Sequence, residues 1–290
     1  MNSKKEYLPV EPSVQVPKPI VYTGRFLQTF STSLAAKYAQ RLFITPIKHT
    51  MPKREFHMDI ESKQNSVLIP KINKEVVVYS YGTSDKKILL AHGWSGRGTQ
   101  LVKIADHFVK LGYQTISFDA PAHGKAKGST TSLLEFIAAI HEIDQQFGPF
   151  EFAIGHSLGG MSLLNAISER VNVKKLVTIG AADIITDIIQ HFIEALTLKP
   201  IVAKKMKTIL DEKFGGDINA LSASYSAKNV QIPTFVVHDK NDADVHINCA
   251  HSIYDALPNG TIHITEGLGH RRILGNKKVI EKIERFLLED

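Results

Sequence analysis

An apolar run that passes through Gly-x-Ser-x-Gly into helix-like sequence constrains the fold of this chain more than any other feature. Residues 152–160 read Phe-Ala-Ile-Gly-His-Ser-Leu-Gly-Gly. This pattern is typical of a serine held on a sharp turn between a buried strand and a helix. Gly155 and Gly159 flank Ser157, where a tightly bent backbone leaves no room for a Cβ atom. The stretch therefore predicts a strand, a tight turn and a helix, with Ser157 exposed above a sheet.

Strand and helix patterns alternate on both sides of this turn. Strands are predicted at 87–91, 113–119, 152–155, 175–180, 234–238 and 261–265, and helices at 99–111, 131–147, 158–169, 246–256 and 276–288. Such alternation predicts an α/β fold with a mostly parallel central sheet and helices on both faces. Segments around 56–60, 66–69 and 74–82 precede it and are interpreted as an antiparallel edge of the same sheet.

Two helical regions lie outside this alternation. Between residues 182 and 228 helical patterns continue without a convincing strand, and insertions of that length usually have a function. Residues 1–19 hold four prolines and predict an extended tail, and residues 22–47 predict an amphipathic helix. We expect this helix to pack on the domain or on a partner subunit in a homodimer, and peripheral contact with a membrane surface is the alternative. We therefore divide the sequence into an N-terminal region of tail and amphipathic helix at residues 1–55 and a domain at residues 56–290.

Composition and charge argue against several classes of protein. A length of 290 residues suits one large α/β domain. The net charge is +6, but basic residues are interpreted as interleaved with acids, so no nucleic-acid partner is expected. No run approaches the ~18 apolar residues of a transmembrane segment, and no secretory signal is recognised. The single cysteine, Cys249, is expected to pack in a helix and fits a reducing compartment, which predicts a cytoplasmic protein.

A serine hydroxyl becomes a nucleophile only when a base accepts its proton and a third group orients that base. In a fold of this kind the acid and then the histidine are expected after later strands. Asp239, Asp242 and Asp244 follow the strand predicted at 234–238. Asp242 is preferred, because the loop must turn back before a carboxylate can face the histidine. Asp239 lies close to the strand end, and Asp244 is the second choice.

His270 is the candidate base. It directly follows the last predicted strand, and the Gly-Leu-Gly before it permits a tight bend towards the serine. His263, within the strand, is the weaker competitor.

Two backbone N–H groups are also needed, where negative charge would develop on a carbonyl oxygen under attack. The amide of Leu158, directly after the serine, is one candidate. The other is Trp94, the only tryptophan, in the loop after the strand at 87–91. The preceding His-Gly would let that loop fold close to the serine.

With these motifs in place, residues 60–290 resemble the α/β-hydrolase superfamily, in particular its serine esterase, lipase and thioesterase-like members. The resemblance depends on His92-Gly93-Trp94, the stretches 119–124 and 155–159, the Asp242 loop and Gly269-His270. It implies a catalytic triad of Ser157, Asp242 and His270, and a helical cap at about 182–228. The expected architecture is an α/β-hydrolase fold with a helical cap insertion and an N-terminal helical extension. Asp239 stands where the family commonly has glycine after the histidine, and the stretch 119–124 is expected to be structural.

The function expected from these residues is acyl transfer to water on a small-molecule ester or thioester, without a metal or cofactor. An acyltransferase on the same triad and a catalytically inactive binding protein are the alternatives. A metal site is a further alternative, because histidines and aspartates cluster in one loop. Its candidate ligands would be His238, Asp239, Asp242, Asp244 and His246. It is disfavoured because the geometry from strand to loop points these side chains in different directions.

Overall fold

A central sheet of eight strands organises the protein, and the computed structural model describes residues 16–289. The strands are β1 (Lys63–Ile69), β2 (Lys74–Tyr81), β3 (Lys87–Ala91), β4 (Gln114–Asp119), β5 (Phe152–His156), β6 (Lys175–Ile179), β7 (Thr234–Asp239) and β8 (Gly260–Thr265). Their order is β1-β2-β4-β3-β5-β6-β7-β8. The pairs β1–β2 and β2–β4 are antiparallel and the other five pairs are parallel, so the predicted mostly parallel sheet is confirmed.

Twelve α-helices connect and cover the strands within residues 16–289. They are α1 (Lys18–Phe30), α2 (Thr32–Phe43), α3 (Phe56–Glu61), α4 (Val102–Lys110), α5 (Leu133–Phe147), α6 (Leu158–Glu169), α7 (Ile185–Ala195), α8 (Pro200–Phe214), α9 (Ala223–Ala227), α10 (Asn248–Ala256), α11 (Gly269–Arg272) and α12 (Lys277–Leu288). The predicted alternation of strands and helices is confirmed from β3 onwards, with boundaries that differ by up to three residues.

The sheet has a hydrophobic core on each face because successive side chains of a strand point to opposite sides. Ile88 and Leu90 of β3 join the core that contains α4 and α12. Leu89 and Ala91 of the same strand join the core that contains α5 and α6. A strand buried on both faces needs apolar residues throughout, which is why residues 88–91 form a continuous apolar run.

The strand order fixes where a site can form. From β3 the chain crosses to β4 on one side, whereas from β5 it crosses to β6 on the other. This reversal leaves a crevice at the carboxyl ends of β3 and β5, which is where open α/β sheets bind ligands. Ala91 pairs with Gly155, so the loop after β3 and the turn after β5 leave the sheet side by side.

The strand expected near residues 56–60 is wrong, because this segment forms α3. The alternation of Phe56, Met58 and Ile60 suggested a strand with one buried face. In the structure Met58 is fully buried, whereas Phe56 is 46% exposed and Ile60 is 80% exposed. One buried residue in a single helical turn produced the same apolar pattern as a short strand. The other expected edge strands, around 66–69 and 74–82, are present as β1 and β2.

The single amphipathic helix expected at residues 22–47 is two helices. Ser31 has an extended backbone (φ −158°, ψ 122°) between α1 and α2, and its hydroxyl accepts a hydrogen bond of 3.3 Å from the Leu34 amide. This is an N-cap, which starts a second helix in a new direction. The predicted tail at 1–19 lies almost entirely outside the described residues, and α1 begins at Lys18.

Both N-terminal helices pack on the rest of the molecule. Fully buried alanines of α2 lie in the same core cluster as Val202, Ala203 and Met206 of α8. The Gln28 side chain accepts a hydrogen bond of 2.6 Å from the Lys199 amide at the start of α8. Small side chains let two helix backbones approach closely, so α2 and α8 form one packed layer. Within residues 16–289, no helix combines the length and apolarity needed to cross a bilayer.

Candidate active site

Ser157 occupies the tight turn between β5 and α6. Its backbone has φ 52° and ψ −120°, a conformation that is unfavourable for a residue with a Cβ atom. A Cβ atom at Gly159 would collide with the carbonyl oxygen of Ala91, so the helix can approach β3 only with glycine there. The Ser157 amide donates a hydrogen bond of 2.9 Å to Ile179 at the end of β6. The serine is therefore fixed at the carboxyl edge of the sheet, at the N-terminus of α6.

His270 and Asp242 form a short polar contact at this edge. His270 Nδ1 lies 2.6 Å from Asp242 Oδ2, and the two side chains are only 10% and 1% exposed. The other oxygen of Asp242 accepts hydrogen bonds of 2.9 Å from the amides of Asp244 and Val245. The acceptor at Nδ1 places the ring proton on that nitrogen and leaves Nε2 with a lone pair. Asp242 thus fixes both the orientation and the tautomer of His270.

His156 lies between the serine turn and the histidine. Its Nε2 donates a hydrogen bond of 3.0 Å to the backbone carbonyl of His270, and the two ring centroids are 4.6 Å apart. Burial holds the pKa of His156 well below its usual value of 6.5, so the ring is neutral. The residue directly before Ser157 therefore contacts the backbone and ring of His270. The only sequence signal for this contact is the position of His156 inside the Gly-x-Ser-x-Gly motif.

Asp239, the acid nearest the strand end, connects the acid loop to the histidine loop. Its carboxylate accepts hydrogen bonds from the Thr265 hydroxyl at 2.6 Å, the Leu268 amide at 2.9 Å and the Asn241 amide at 3.0 Å. Burial would raise the pKa of Asp239, but these hydrogen bonds outweigh that effect and lower it. Asp239 thus braces the loop that carries His270, a role that the sequence did not indicate.

Asp244 and His263, the remaining candidates for the acid and the base, occupy different positions. Asp244 is exposed, and its amide donates to Asp242. The ring of His263 lies in β8 and stacks on Phe235, with Nδ1 3.3 Å from Lys282 Nζ. His263 therefore faces the core formed with α12, away from the serine turn.

The loop after β3 approaches the serine closely. A Cβ atom placed on Gly93 would lie 3.0 Å from the Cβ atom of Ser157. Trp94 follows directly, and Leu158 is the first residue of α6. Neither the Trp94 amide nor the Leu158 amide donates a hydrogen bond to another residue within 16–289. The residue after Gly93 and the residue after Ser157 thus each have an amide without an internal acceptor, and these two amides are the candidates for an anion-binding pair.

His92 holds the base of this loop. Its Nδ1 donates to the carbonyl oxygen of Gly93 at 2.7 Å, and its Nε2 accepts from the Ala120 amide at 3.1 Å. Burial keeps the pKa of His92 well below 6.5, which is consistent with a neutral ring that has one donor and one acceptor.

His123 supports the next residue of the loop. Its Nε2 accepts a hydrogen bond of 3.0 Å from the Ser95 amide, and Nδ1 donates to Pro121 at 3.1 Å. Burial lowers the pKa of His123 to about 4. The hydroxyl of Ser95 in turn accepts a hydrogen bond of 3.0 Å from the Ile47 amide. The segment after α2 is therefore attached to the residue that follows Trp94.

Asp119, at the end of β4, is fully buried and organises the same region. Its carboxylate accepts hydrogen bonds from the Gly98 amide at 2.7 Å, the Lys125 amide at 2.7 Å and the Tyr79 hydroxyl at 2.8 Å. These contacts agree with the expectation that the stretch 119–124 is structural. They also explain its position beside the site, because Gly98 belongs to the loop that carries Trp94.

Three side chains in residues 16–289 bring potential metal ligands within 4.8 Å of one another: Asp242, Asp244 and His270. Of the cluster considered from the sequence, this group contains Asp242 and Asp244 but not His238, Asp239 or His246. Both oxygens of Asp242 already accept hydrogen bonds, and His270 Nδ1 is the donor of one of them. A cation at this place would have to displace that proton, so the donor set favours a hydrogen-bonded acid and base.

Comparison with known proteins places this geometry in a family. A family model described as alpha/beta hydrolase fold matches residues 86–258, which is more than half of the chain. Comparison with curated proteins finds no match.

Several solved structures share the fold at low sequence identity. A bromoperoxidase from Bacillus anthracis has 17% identity and a TM-score of 0.60, covering 79% of this chain and 100% of the other. An esterase from Pyrococcus furiosus has 17% identity and a TM-score of 0.64, with coverages of 84% and 96%. An esterase from Exiguobacterium antarcticum has 18% identity and a TM-score of 0.62, with coverages of 78% and 99%.

At such identities the structures show a common fold, and the family match over residues 86–258 adds the sequence relationship. The chain belongs to the alpha/beta hydrolase family.

Proposed function

We propose that this protein is a serine hydrolase that cleaves carboxylic esters or thioesters through an acyl-enzyme intermediate. The observation that carries the proposal is the 2.6 Å contact between His270 Nδ1 and the buried carboxylate of Asp242, beside a serine on a strained turn. A histidine whose Nδ1 proton is held by a carboxylate has Nε2 available as a general base.

The acylation step follows from these positions. Ser157 Oγ attacks the substrate carbonyl while His270 Nε2 accepts its proton. Asp242 remains ionised and stabilises the imidazolium that forms. The proton on Nε2 then passes to the leaving alcohol or thiol as the tetrahedral intermediate collapses to the acyl-enzyme.

Deacylation repeats the sequence with water as the nucleophile. His270 accepts a proton from the water, and collapse of the second tetrahedral intermediate releases the acid and restores Ser157. In both steps the amides of Trp94 and Leu158 donate hydrogen bonds to the oxyanion. Their preorganisation is the source of the electrostatic stabilisation, because no donor has to reorient during the reaction.

The segment at about 182–228 is proposed to act as a cap on this site. It leaves the sheet after β6, whose last residue, Ile179, accepts the hydrogen bond of the Ser157 amide. On α7, Ile185, Ile189 and Ile193 are buried in the core, whereas Ile188 and Phe192 are only partly buried. The ring of Phe192 lies 5.2 Å from that of Phe43. These partly buried side chains are the candidates for contact with an acyl chain.

The division at residue 55 and the cap assignment stay predictions, as does a cytoplasmic location, which the single Cys249 favours. Burial raises the pKa of the Cys249 thiol to about 11. This shift keeps the thiol protonated at neutral pH and agrees with a packing role.

The test is hydrolysis by the purified full chain of p-nitrophenyl esters and acyl-CoA thioesters of graded acyl length. We expect turnover of at least one series and covalent labelling of Ser157 by a fluorophosphonate. Ser157→Ala should lose labelling and at least about 10³-fold in kcat. Full ester hydrolysis by Ser157→Ala would refute the proposal. Wild-type protein that neither reacts with the fluorophosphonate nor turns over a substrate would instead indicate a binding protein on this fold.

Acyl transfer to another acceptor is tested in the same assay. Adding a simple alcohol and measuring the new ester against the free acid gives the partition of the acyl-enzyme. Release of acid as the main product supports a hydrolase, and predominant ester formation supports an acyltransferase.

A further inference from the structure

Helix α1 exposes a row of large apolar side chains. Tyr22 is 63% exposed, Phe26 63% and Phe30 72%, and Leu34 at the start of α2 is 50% exposed. The three aromatic residues follow one another at intervals of four, which places them on one face of the helix. The rings of Phe26 and Phe30 contact each other edge-to-face at 4.9 Å. This apolar stripe is defined here as Tyr22, Phe26, Phe30 and Leu34.

The stripe is not the face by which α1 packs on the protein. Gly24 is buried against Leu198 and Tyr38, while Ile20 and Leu27 are partly buried against the core. These three lie on the side of α1 opposite the aromatic residues. The surfaces of soluble proteins rarely expose a contiguous row of large apolar side chains. A helix with apolar side chains on both sides therefore needs a second apolar partner.

The charged residues of the segment that carries the stripe are all basic. Residues 12–54 contain seven Lys and Arg and no Asp or Glu. The rest of the chain holds the remaining 28 Lys and Arg against all 29 Asp and Glu. The interpretation that basic residues are interleaved with acids therefore fails for this segment, which carries the whole positive excess of the protein. All seven basic side chains are exposed: Lys18, Arg25, Lys37, Arg41, Lys48, Lys53 and Arg54.

We propose that the apolar stripe of α1 docks this protein on an anionic lipid bilayer. Lys18 and Arg25 flank the aromatic face on the same helix, so insertion of the rings would bring these cations to the lipid headgroups. Tyrosine and phenylalanine on one face with lysine and arginine beside it are typical of helices that lie in the interface plane. The docking is peripheral, and it does not depend on the function proposed for Ser157.

A second copy of the chain fits this surface less well. A two-fold symmetric contact places the same patch on itself, so the basic side chains of one copy would lie close to the basic segment of the other. Like charges opposed across an interface are unfavourable and are not balanced here, since α1 and α2 contain no acid. An anionic lipid surface would neutralise the positive charge of the segment around α1, whereas a second copy of the chain would bring more positive charge to the same place.

The docking helices are connected to the region of Ser157. Helix α2 packs on α8, and the segment that follows α2 reaches the loop of Trp94 through the hydrogen bond from the Ile47 amide to the Ser95 hydroxyl. Lys48 Nζ also donates a hydrogen bond of 3.0 Å to Ala126. A bilayer bound at α1 would thus contact the layer of helices that includes the proposed cap.

The experiment measures cosedimentation of the full chain with large vesicles. One set contains phosphatidylcholine alone and the other contains about 30% phosphatidylserine. We expect binding to the anionic vesicles that falls at least about tenfold when the salt concentration is raised from 0.05 to about 0.5 M, because exposed charges are then screened. The double variant Phe26→Ser/Phe30→Ser should bind at least about tenfold more weakly.

Two variants sharpen the test. Ile60→Ser/Leu68→Ser removes two exposed apolar side chains far from α1 in the sequence, 80% and 51% exposed, and should bind like the wild type. Lys18→Gln/Arg25→Gln should weaken binding to anionic vesicles by about fivefold per cation. Circular dichroism and thermal melting of each variant report whether it is folded.

Three outcomes would overturn the proposal. Failure of a monomeric wild-type protein to sediment with anionic vesicles would mean that the stripe is covered within the chain. A dimer that Phe26→Ser/Phe30→Ser dissociates in analytical ultracentrifugation would assign the stripe to a second copy. Loss of binding by the control variant Ile60→Ser/Leu68→Ser to the same extent would show that the stripe is not the docking surface.

Discussion

The carboxylate of Asp239 accepts a hydrogen bond of 2.6 Å from the Thr265 hydroxyl, which ties the end of β7 to the end of β8. The same carboxylate holds the Leu268 amide at 2.9 Å, two residues before His270. Asp242, three residues later in the chain, instead contacts the His270 ring. Neighbouring acids in one loop thus contact the histidine segment at two different places, its backbone and its imidazole.

This difference predicts distinct effects of the two amide substitutions. Asp242→Asn should lower kcat by on the order of 10⁴-fold, because the amide favours the wrong tautomer of His270. Asp239→Asn should keep kcat within about tenfold of the wild type and lower the free energy of unfolding by about 1–2 kcal/mol. Ester hydrolysis and urea denaturation of both variants measure the two effects. The reverse order of kcat values would assign Asp239 as the partner of His270.

Gly180 lies against His270 and Asp242, so a side chain at this position is expected to disturb them. A Cβ atom there would lie 3.2 Å from His270 Nδ1 and 3.4 Å from Asp242 Oδ2. Gly180→Ala should therefore displace the imidazole and lower kcat/KM by at least about tenfold. Gly180 also has φ +58°, so part of any effect is backbone strain.

Gly112→Ala is the matched control for this strain. Gly112 has φ +83°, and a Cβ atom there meets nothing within 4 Å. Both variants should lose about 1 kcal/mol of stability, but only Gly180→Ala should lose activity. Equal activity of the two variants would show that the space beside His270 is not restricted.

Buried neutral histidines predict a loss of stability in mild acid. Burial lowers the pKa of His123 to about 4 from the usual 6.5. Below pH 6.5 the unfolded chain binds a proton that the folded chain does not, so stability falls as pH decreases towards 4. Between pH 7.5 and 5, His123 alone should reduce the free energy of unfolding by about 2 kcal/mol.

Urea denaturation at several pH values measures this loss, and His123→Gln serves as the comparison. The variant has no titrating group at this position, so its stability should depend on pH less steeply by about 2 kcal/mol over the same interval. An unchanged pH dependence would mean that folding does not lower the pKa of His123. His92 and His156, whose pKa values burial also lowers, should preserve part of the slope in both proteins.

The hydrogen bonds that the buried Asp119 accepts lead to a prediction about stability. Asp119→Ala removes the acceptor of the Gly98 and Lys125 amides and of the Tyr79 hydroxyl, and should destabilise the fold by about 2–4 kcal/mol. The exposed Asp85→Ala is the control and should change stability by less than about 0.5 kcal/mol. Thermal and urea unfolding measure both. A small effect at Asp119 would mean that water replaces its carboxylate at no cost.

The fold was predictable because its signals are local. Continuous apolar runs such as 88–91 and 152–154 give buried parallel strands, and helical periodicity between them gives covering helices. Prediction failed at residues 56–60, where one helical turn with a single buried residue, Met58, has the same pattern as a strand. The prediction also missed the break at Ser31 between helices α1 and α2, because capping depends on the backbone angles of one residue.

The sequence by itself determined the strand–turn–helix around Ser157, the order of strands and helices along the chain, and a short set of candidate partners. Short-range chemistry suffices for these, since glycine positions and apolar periodicity act within a few residues. Only the tertiary structure decided which acid contacts His270, that Asp239 holds the Leu268 amide and His156 holds the His270 carbonyl, and that α1 keeps an exposed apolar face. The contacts with the His270 segment join residues 28 to 114 positions apart, and their energies depend on distances and burial that exist only once the chain is packed.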